Sequence, residues 1–215
     1  KGRGFSVYSY PHGQLRDGGY GPGGVAFEGP PGSQAWLTAQ HLSDAGCTLS
    51  FYYAYRGQGG VLRLHGDGGI IGRVDTNRWR QGIGRFERHF ATCPHELEVR
   101  TEGAPTRVFG WSIEYDQPGI VWSSLGVISA QLPQLVHYDE SHLRESLSAL
   151  EPDLVVFTFG LNLAASPGKP SSEYRDQAQR MMTRVRRATA GAPCLVTSPY
   201  PVGYPSDKGY HPESI

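Results

Sequence analysis

The chain has 215 residues, a formal net charge of zero from 20 basic and 20 acidic side chains, 29 Gly, 16 Pro and 19% charged residues. That length is enough to bury a substantial core in one large domain or two small ones. The balanced charge argues against a nucleic-acid or anionic-membrane partner, and no apolar run approaches the ~20 residues of a membrane span. So much Gly and Pro suits a turn-rich β protein better than a helical bundle.

The chain starts at Lys1 without Met or a signal-like apolar stretch, as a cytoplasmic protein or a processed or excised fragment would. Residues 1–23 read as a linker or lead-in segment. From 24 to 115, short alternating runs are separated by turn chemistry. "LSFYYAYR" sends Leu49, Phe51, Tyr53 and Tyr55 to one face and Ser50, Tyr52, Ala54 and Arg56 to the other. "ELEVR" turns Leu97 and Val99 inward. Further strands are predicted at 35–42, 61–65, 70–75, 84–90 and 107–115, with "GQGG", "GDGG" and "EGAP" as turns between them. About seven short strands at this spacing predict an antiparallel β-sandwich of jelly-roll type.

The pattern changes over 116–215. "GIVWSSLG" (119–126) reads as a strand, followed by helical text to about Leu150. Leu143, Leu147 and Leu150 share one face of that text, and Pro152 closes it. "DLVVFTFG" is a buried strand. "SSEYRDQAQRMMTRVRRATAG" is a helix with Ser171 or Ser172 as N-cap and Gly191 as its stop. Its apolar stripe of Tyr174, Ala178, Met181, Met182 and Val185 is read as packing against a sheet. "APCLVTSPY" supplies another strand. Strands alternating with helices predict right-handed βαβ units and a parallel sheet.

In open α/β sheets ligands collect at the carboxyl ends of the strands. Two strand ends stand out here: Gly126 in "SSLGVISA", and Gly160 with Asn162 in "FTFGLNLA". The backbone N–H of Gly126 and the side-chain amide of Asn162 are donors suited to an oxyanion in acyl transfer. Taken singly, Gly126 also fits a strand-to-helix turn and Asn162 a capping or turn residue. The three cysteines, Cys47, Cys93 and Cys194, lack the spacing of a zinc site. Cys47 and Cys93 fall in the β-rich part, either as a disulfide in an exported protein or as buried thiols. His89, Cys93 and His95 lie close together, but Pro94 interrupts them and no fourth ligand follows, so no metal site is expected. "GDGG" (66–69) has no Lys or following helix and reads as a hairpin turn, not a phosphate loop.

The second half resembles the SGNH (GDSL-type) hydrolases. "SSLGVISA" is similar to that family's second block, and "PDLVVFTFGLNLA" to its third, with Gly160-Leu161-Asn162 as the Gly-x-Asn. The stretch from "HELEVR" to "IVWSSLG", together with "LRDGGYGPGGVAF", is similar to a subgroup carrying an inserted carbohydrate-binding-like sandwich. The resemblance implies a flavodoxin-like parallel sheet, incomplete in this chain, preceded by a jelly-roll-like sandwich. The expected division is 1–23, 24–115 and 116–215.

No Gly-Asp-Ser occurs in the chain. "GFS" has its outline without the Asp, making Ser6 the in-chain nucleophile candidate, though it reads better as a surface-loop residue. "SDKGYHPE" holds Asp207 and His211 with three residues between them where the family has two. The expectation is that the catalytic Ser and the Asp–His pair lie outside these 215 residues.

The resemblance implies hydrolysis of an O-acetyl ester on a polysaccharide or peptidoglycan, or of another small ester. The oxyanion would be held by Gly126 and Asn162 with no metal or organic cofactor, in a periplasmic or extracellular setting. The alternative is a non-catalytic glycan-binding or scaffold protein that keeps the fold without the nucleophile. An acetyl transferase using the same residues is a third possibility.

Overall fold

The computed structural model describes residues 2–9, 13–39, 45–126, 132, 138–160, 171–197, 202–206 and 209–213. The chain separates into two compact units, one of Lys1–Leu15 with Gly19–Gly126 and the other of Arg16–Gly18 with Val127–Ile215. Strands in the described residues are mostly antiparallel, and no described helix is long and apolar enough to cross a membrane.

Among the described residues the first unit holds ten strands: β1 (Gly2–Arg3), β2 (Ser6–Tyr8), β3 (Ala26–Gly29), β4 (Gln34–Thr38), β5 (Cys47–Tyr55), β6 (Val61–Gly66), β7 (Gly69–Asp75), β8 (Gly82–Phe90), β9 (Glu96–Glu102) and β10 (Thr106–Tyr115). They form two five-stranded antiparallel sheets, ordered β1-β4-β9-β6-β7 and β2-β3-β10-β5-β8. Each sheet turns one apolar face inward. Leu62, Leu64, Ile71, Val74, Leu97 and Val99 of one meet Leu49, Phe51 and Val108 of the other in a single buried cluster. The period-2 alternation in "ELEVR" and "VLRLH" dictates this, because every second side chain of a strand shares a face.

The expected strands are present with shifted ends. The run predicted at 35–42 is a strand over Gln34–Thr38, and 40–44 fall outside the described residues. Residues 2–3 and 6–8, within the predicted lead-in segment, supply edge strands to both sheets. "GDGG" is a hairpin turn in which Asp67 (φ 47°) and Gly68 (φ 80°) take the left-handed conformations of a two-residue β-turn.

β10 changes face partway along. Its register against β5 shifts between Val108 and Gly110, where Gly110 has φ 151°. The extra residue inverts the parity, so Val108 and then Trp111 and Ile113 all pack on the core. The opposite face of β5 is also covered, with Tyr52 and Ala54 buried.

The second unit holds α1 (Glu140–Ser148), β11 (Val155–Thr158), α2 (Ser171–Ala188), β12 (Cys194–Thr197) and a hairpin of β13 (Val202–Ser206) and β14 (Gly209–Glu213). β11 and β12 pair in parallel around the intervening α2. Leu143 and Leu147 of α1 and Met181, Val185 and Ala188 of α2 close over Phe157. Leu150, Tyr174, Ala178 and Met182 pack at the margin. The predicted stripes therefore are core, and among the described residues of this unit one parallel pair is present.

One predicted element is absent. Residues 119–126 are irregular and exposed, with Ile120 93% and Trp122 72% accessible. A strand exists only through a ladder to a neighbour, and no described strand pairs with this run.

Candidate functional site

The carboxyl edge of the parallel pair is built from its last residues. The hydroxyls of Thr158 on β11 and Thr197 on β12 lie 2.8 Å apart, linking the two strand ends by a hydrogen bond. Beyond Thr158, the rings of Phe157 and Phe159 are 4.9 Å apart, and the Tyr174 hydroxyl of α2 donates to the Phe159 carbonyl at 2.9 Å. Burial pushes the Tyr174 phenol up, so it stays a neutral donor across the physiological range. The first turns of α2 are thus fastened to the point where β11 ends. Gly160 follows with φ 126°, a conformation that L side chains rarely adopt. Leu161 and Asn162 follow it in the sequence. Asn162 itself lies outside the described residues.

Gly126 is the last residue of the exposed segment 119–126, and a Cβ built on it would meet nothing within 4 Å. Its backbone is therefore open to close approach. Ser6 is an exposed residue of β2, opposite Glu28 of β3. His211 lies on β14 opposite Tyr204, and Asp207 is outside the described residues. Among the described residues no hydrogen bond joins any two of these candidates.

Cys47 and Cys93 form a disulfide with a Cα–Cα distance of 5.6 Å, within the reach of a bridge. It ties the start of β5 to the segment after β8. Cys93 is thereby removed from the His89–Cys93–His95 grouping, and the His89 ring nitrogen instead meets Asp116 at 2.7 Å.

Two arrangements were not read from the sequence. Arg107, on β10, pairs with Glu28 on β3 while only 3% of its side chain is accessible. No periodicity signals it, because its face of β10 is covered by the segment carrying Gly19, whose carbonyl accepts from the guanidinium at 3.1 Å. The other is Trp79, between β7 and β8, which stands 84% exposed with the Arg80 guanidinium 4.2 Å from its ring centroid. The signal was an indole in an otherwise polar turn, "TNRWRQ".

No family model matches the chain, and no curated protein sequence matches it. Among solved structures it is similar to a peptidoglycan O-acetylesterase, at 17% identity and a TM-score of 0.69, over 91% of this chain and 51% of that one. It also aligns with the C-terminal CBM6 of LamC, a marine laminarinase of Zobellia galactanivorans (11% identity, TM-score 0.39, 53% of this chain and 90% of that one). A β-1,3-glucan-binding CBM6 from Bacillus halodurans aligns similarly (12% identity, TM-score 0.37, 53% and 88%). At these identities a likeness shows the fold alone, and the last two scores are too low to carry an argument. The chain shares its fold with about half the length of the esterase it matches.

Proposed function

We propose that this polypeptide belongs to a serine esterase of SGNH type that removes O-acetyl groups from a polysaccharide or peptidoglycan. The observation that carries the reading is the end of β11. A parallel strand, fastened to its neighbour by Thr158 and Thr197 and to α2 by Tyr174, leads to Gly160, with Leu161 and Asn162 next in the sequence. The fold shared with a peptidoglycan O-acetylesterase supports it, and the Cys47–Cys93 bridge supports an oxidising, periplasmic or extracellular setting.

In this reading a serine oxygen attacks the acetyl carbonyl, and its proton passes to a histidine oriented by an aspartate. The electron pair displaced onto the carbonyl oxygen is met by the Gly126 N–H, the Asn162 amide and the N–H of the serine itself. Collapse of the tetrahedral species breaks the bond to the sugar oxygen, which takes the proton from histidine. Water then releases acetate from the serine by the same steps. No metal or organic cofactor is required. Polypeptide outside the 215 residues contributes the serine and the Asp–His pair, with Ser6, Asp207 and His211 as the candidates within them. The sandwich presents the glycan.

The test is hydrolysis of p-nitrophenyl acetate and acetate release from O-acetylated peptidoglycan. Both are measured for this chain and for a form extended at both ends along the parent gene. Asn162→Ala is expected to lower kcat about 100- to 1,000-fold in the active form. Inactivity of both forms overturns the esterase in favour of a glycan-binding or scaffold protein, which the missing Gly-Asp-Ser favours.

A further inference from the structure

Trp79 is held in water by a stiff support. Tryptophan is highly buried on average, and an indole left 84% exposed on a floppy loop would need no explanation. This loop is not floppy. The Asp75 carboxylate accepts from the Asn77 N–H at 2.9 Å, and the Asn77 side-chain oxygen accepts from the Gln58 N–H at 3.0 Å. The Arg56 N–H donates to the Thr76 carbonyl at 3.0 Å, and the Arg78 N–H donates back to the Arg56 carbonyl at 3.1 Å. Thr76, 1% exposed, donates its hydroxyl to the Gly60 carbonyl at 2.8 Å. The β5–β6 and β7–β8 loops are therefore zipped together beneath the indole.

The charge around it is also organised. Arg80 lies over the ring, which fixes the indole and leaves its other face to solvent. Arg78 is near enough to Tyr53 to oppose the upward push that burial gives that phenol. Three carboxylates, Glu28, Asp75 and Glu102, lie at this end of the sandwich among the described residues, and Glu102 is taken by Arg63. Glu28 is taken by Arg56 and Arg107, and Asp75 caps the turn. No described carboxylate pairs with Arg78 or Arg80. The tip thus offers one aromatic face with the Arg80 guanidinium over the ring, and the neighbouring residue Arg78 adds a second guanidinium whose Nη1 donates to the Asn77 carbonyl at 3.4 Å, on a chain whose net charge is zero.

We propose that this tip binds a glycan whose sugars carry a carboxylate. The C–H face of one pyranose stacks on the open face of Trp79, and the carboxylate of that sugar or its neighbour is held by Arg80 and Arg78, in the planar fork that guanidinium offers to two oxygens. A protein or membrane partner calls for contiguous apolar area, whereas Asn77, Arg78, Arg80 and Gln81 make the surroundings of the indole polar. The proposal stands on the tip's own residues and goes beyond the esterase reading without depending on it.

Titration calorimetry on the whole chain tests it with three probes: a tetrasaccharide of alternating N-acetylglucosamine and N-acetylmuramic acid, tetragalacturonate, and the neutral chitotetraose. At least one carboxylated probe is expected to bind about tenfold or more tightly than chitotetraose. Trp79→Ala is expected to weaken that binding about tenfold or more. The double variant Arg78→Gln/Arg80→Gln is expected to erase the preference over chitotetraose, whatever Trp79→Ala does to folding. Unchanged melting temperatures show that the variants are folded. Equal affinity for chitotetraose, no binding of either acidic probe, or an acidic preference that survives the arginine changes overturns the proposal. Binding is read without turnover, so a chain that binds but releases no acetate sustains this site and counts against the esterase alone.

Discussion

Arg107 and Glu28 stand directly opposite each other on β10 and β3, and two nitrogens of the guanidinium, Nε and Nη2, reach the same carboxylate oxygen at 2.9 and 2.8 Å. Arg56, just past the end of β5, reaches that oxygen at 3.1 Å. The pair joins the central strand of its sheet to the strand beside it, and the Gly19 carbonyl seals it from outside.

Removing the acid takes from a buried guanidinium the carboxylate that two of its nitrogens reach. Breaking one side of a buried pair typically costs 3–5 kcal/mol. Glu28 is about a quarter accessible and Arg107 keeps its carbonyl acceptor, so the lower end applies. Glu28→Ala is expected to lower the unfolding free energy by about 3 kcal/mol, measured by urea denaturation. A loss below half of that would show that water solvates Arg107 in the folded state.

The Cys47–Cys93 bridge spans 46 residues of sequence. Loop-closure entropy for that length gives about 4 kcal/mol, an upper figure because native strain and residual unfolded structure reduce it. Reduction is expected to lower the melting temperature of the β-sandwich clearly while leaving its fold intact. Identical melting curves with and without reductant would contradict the bridge.

Gly60 packs where no side chain fits. A Cβ there would overlap the carbonyl oxygens of Glu102, at the end of β9, and of Ala104 in the turn that follows, both backbone atoms. Gly60→Ala is expected to destabilise by about 2 kcal/mol or more. Gly23, whose Cβ would meet nothing within 4 Å, is the control: Gly23→Ala should stay within about 0.5 kcal/mol of the parent. Similar effects at the two positions would mean that the loops yield freely.

Asp139 caps α1, accepting from the His142 N–H at 2.8 Å and from the Ser141 hydroxyl at 2.7 Å. The Ser141 hydrogen bond, then that of His142, holds its carboxyl below the usual range. Because the folded value is depressed, the stabilisation is present above the unfolded carboxylate pKa of ~4 and disappears as pH falls through the folded value. Asp139→Ala is expected to cost about 1 kcal/mol at pH 7. The difference from the parent should shrink in acid. A gap that persists at low pH would assign the effect to something other than the charged cap.

The β-sandwich was legible because its strands are half-buried. "ELEVR" and "VLRLH" place Leu97, Val99, Leu62 and Leu64 in the core by alternation alone. The helices were legible for the same kind of reason, since Leu143, Leu147, Met181 and Val185 repeat at helical spacing and do pack on Phe157. Residues 119–126 were misread because their apolar content is that of a strand, while strand formation depends on a ladder partner that a local run does not encode. The candidate site was legible only as a pattern. Gly160 announced the end of β11, but the hydrogen bonds of Thr158 to Thr197 and of Tyr174 to Phe159 join residues 39 and 15 positions apart.

Local patterning, by its own periodicity, therefore determined which residues of the sandwich strands and of the two helices face a core, whereas Leu154, Leu195 and Val196, read as belonging to buried strands, stand more than half exposed. Tertiary structure alone decided that β10 bulges between Val108 and Gly110, that Arg107 is buried against Glu28, that Cys47 meets Cys93, and that Trp79 is lifted out on a zipped loop. Each of these depends on which distant segment lies alongside. A side chain's exposure and its partners are set by that neighbour, and no spacing within a single run contains it.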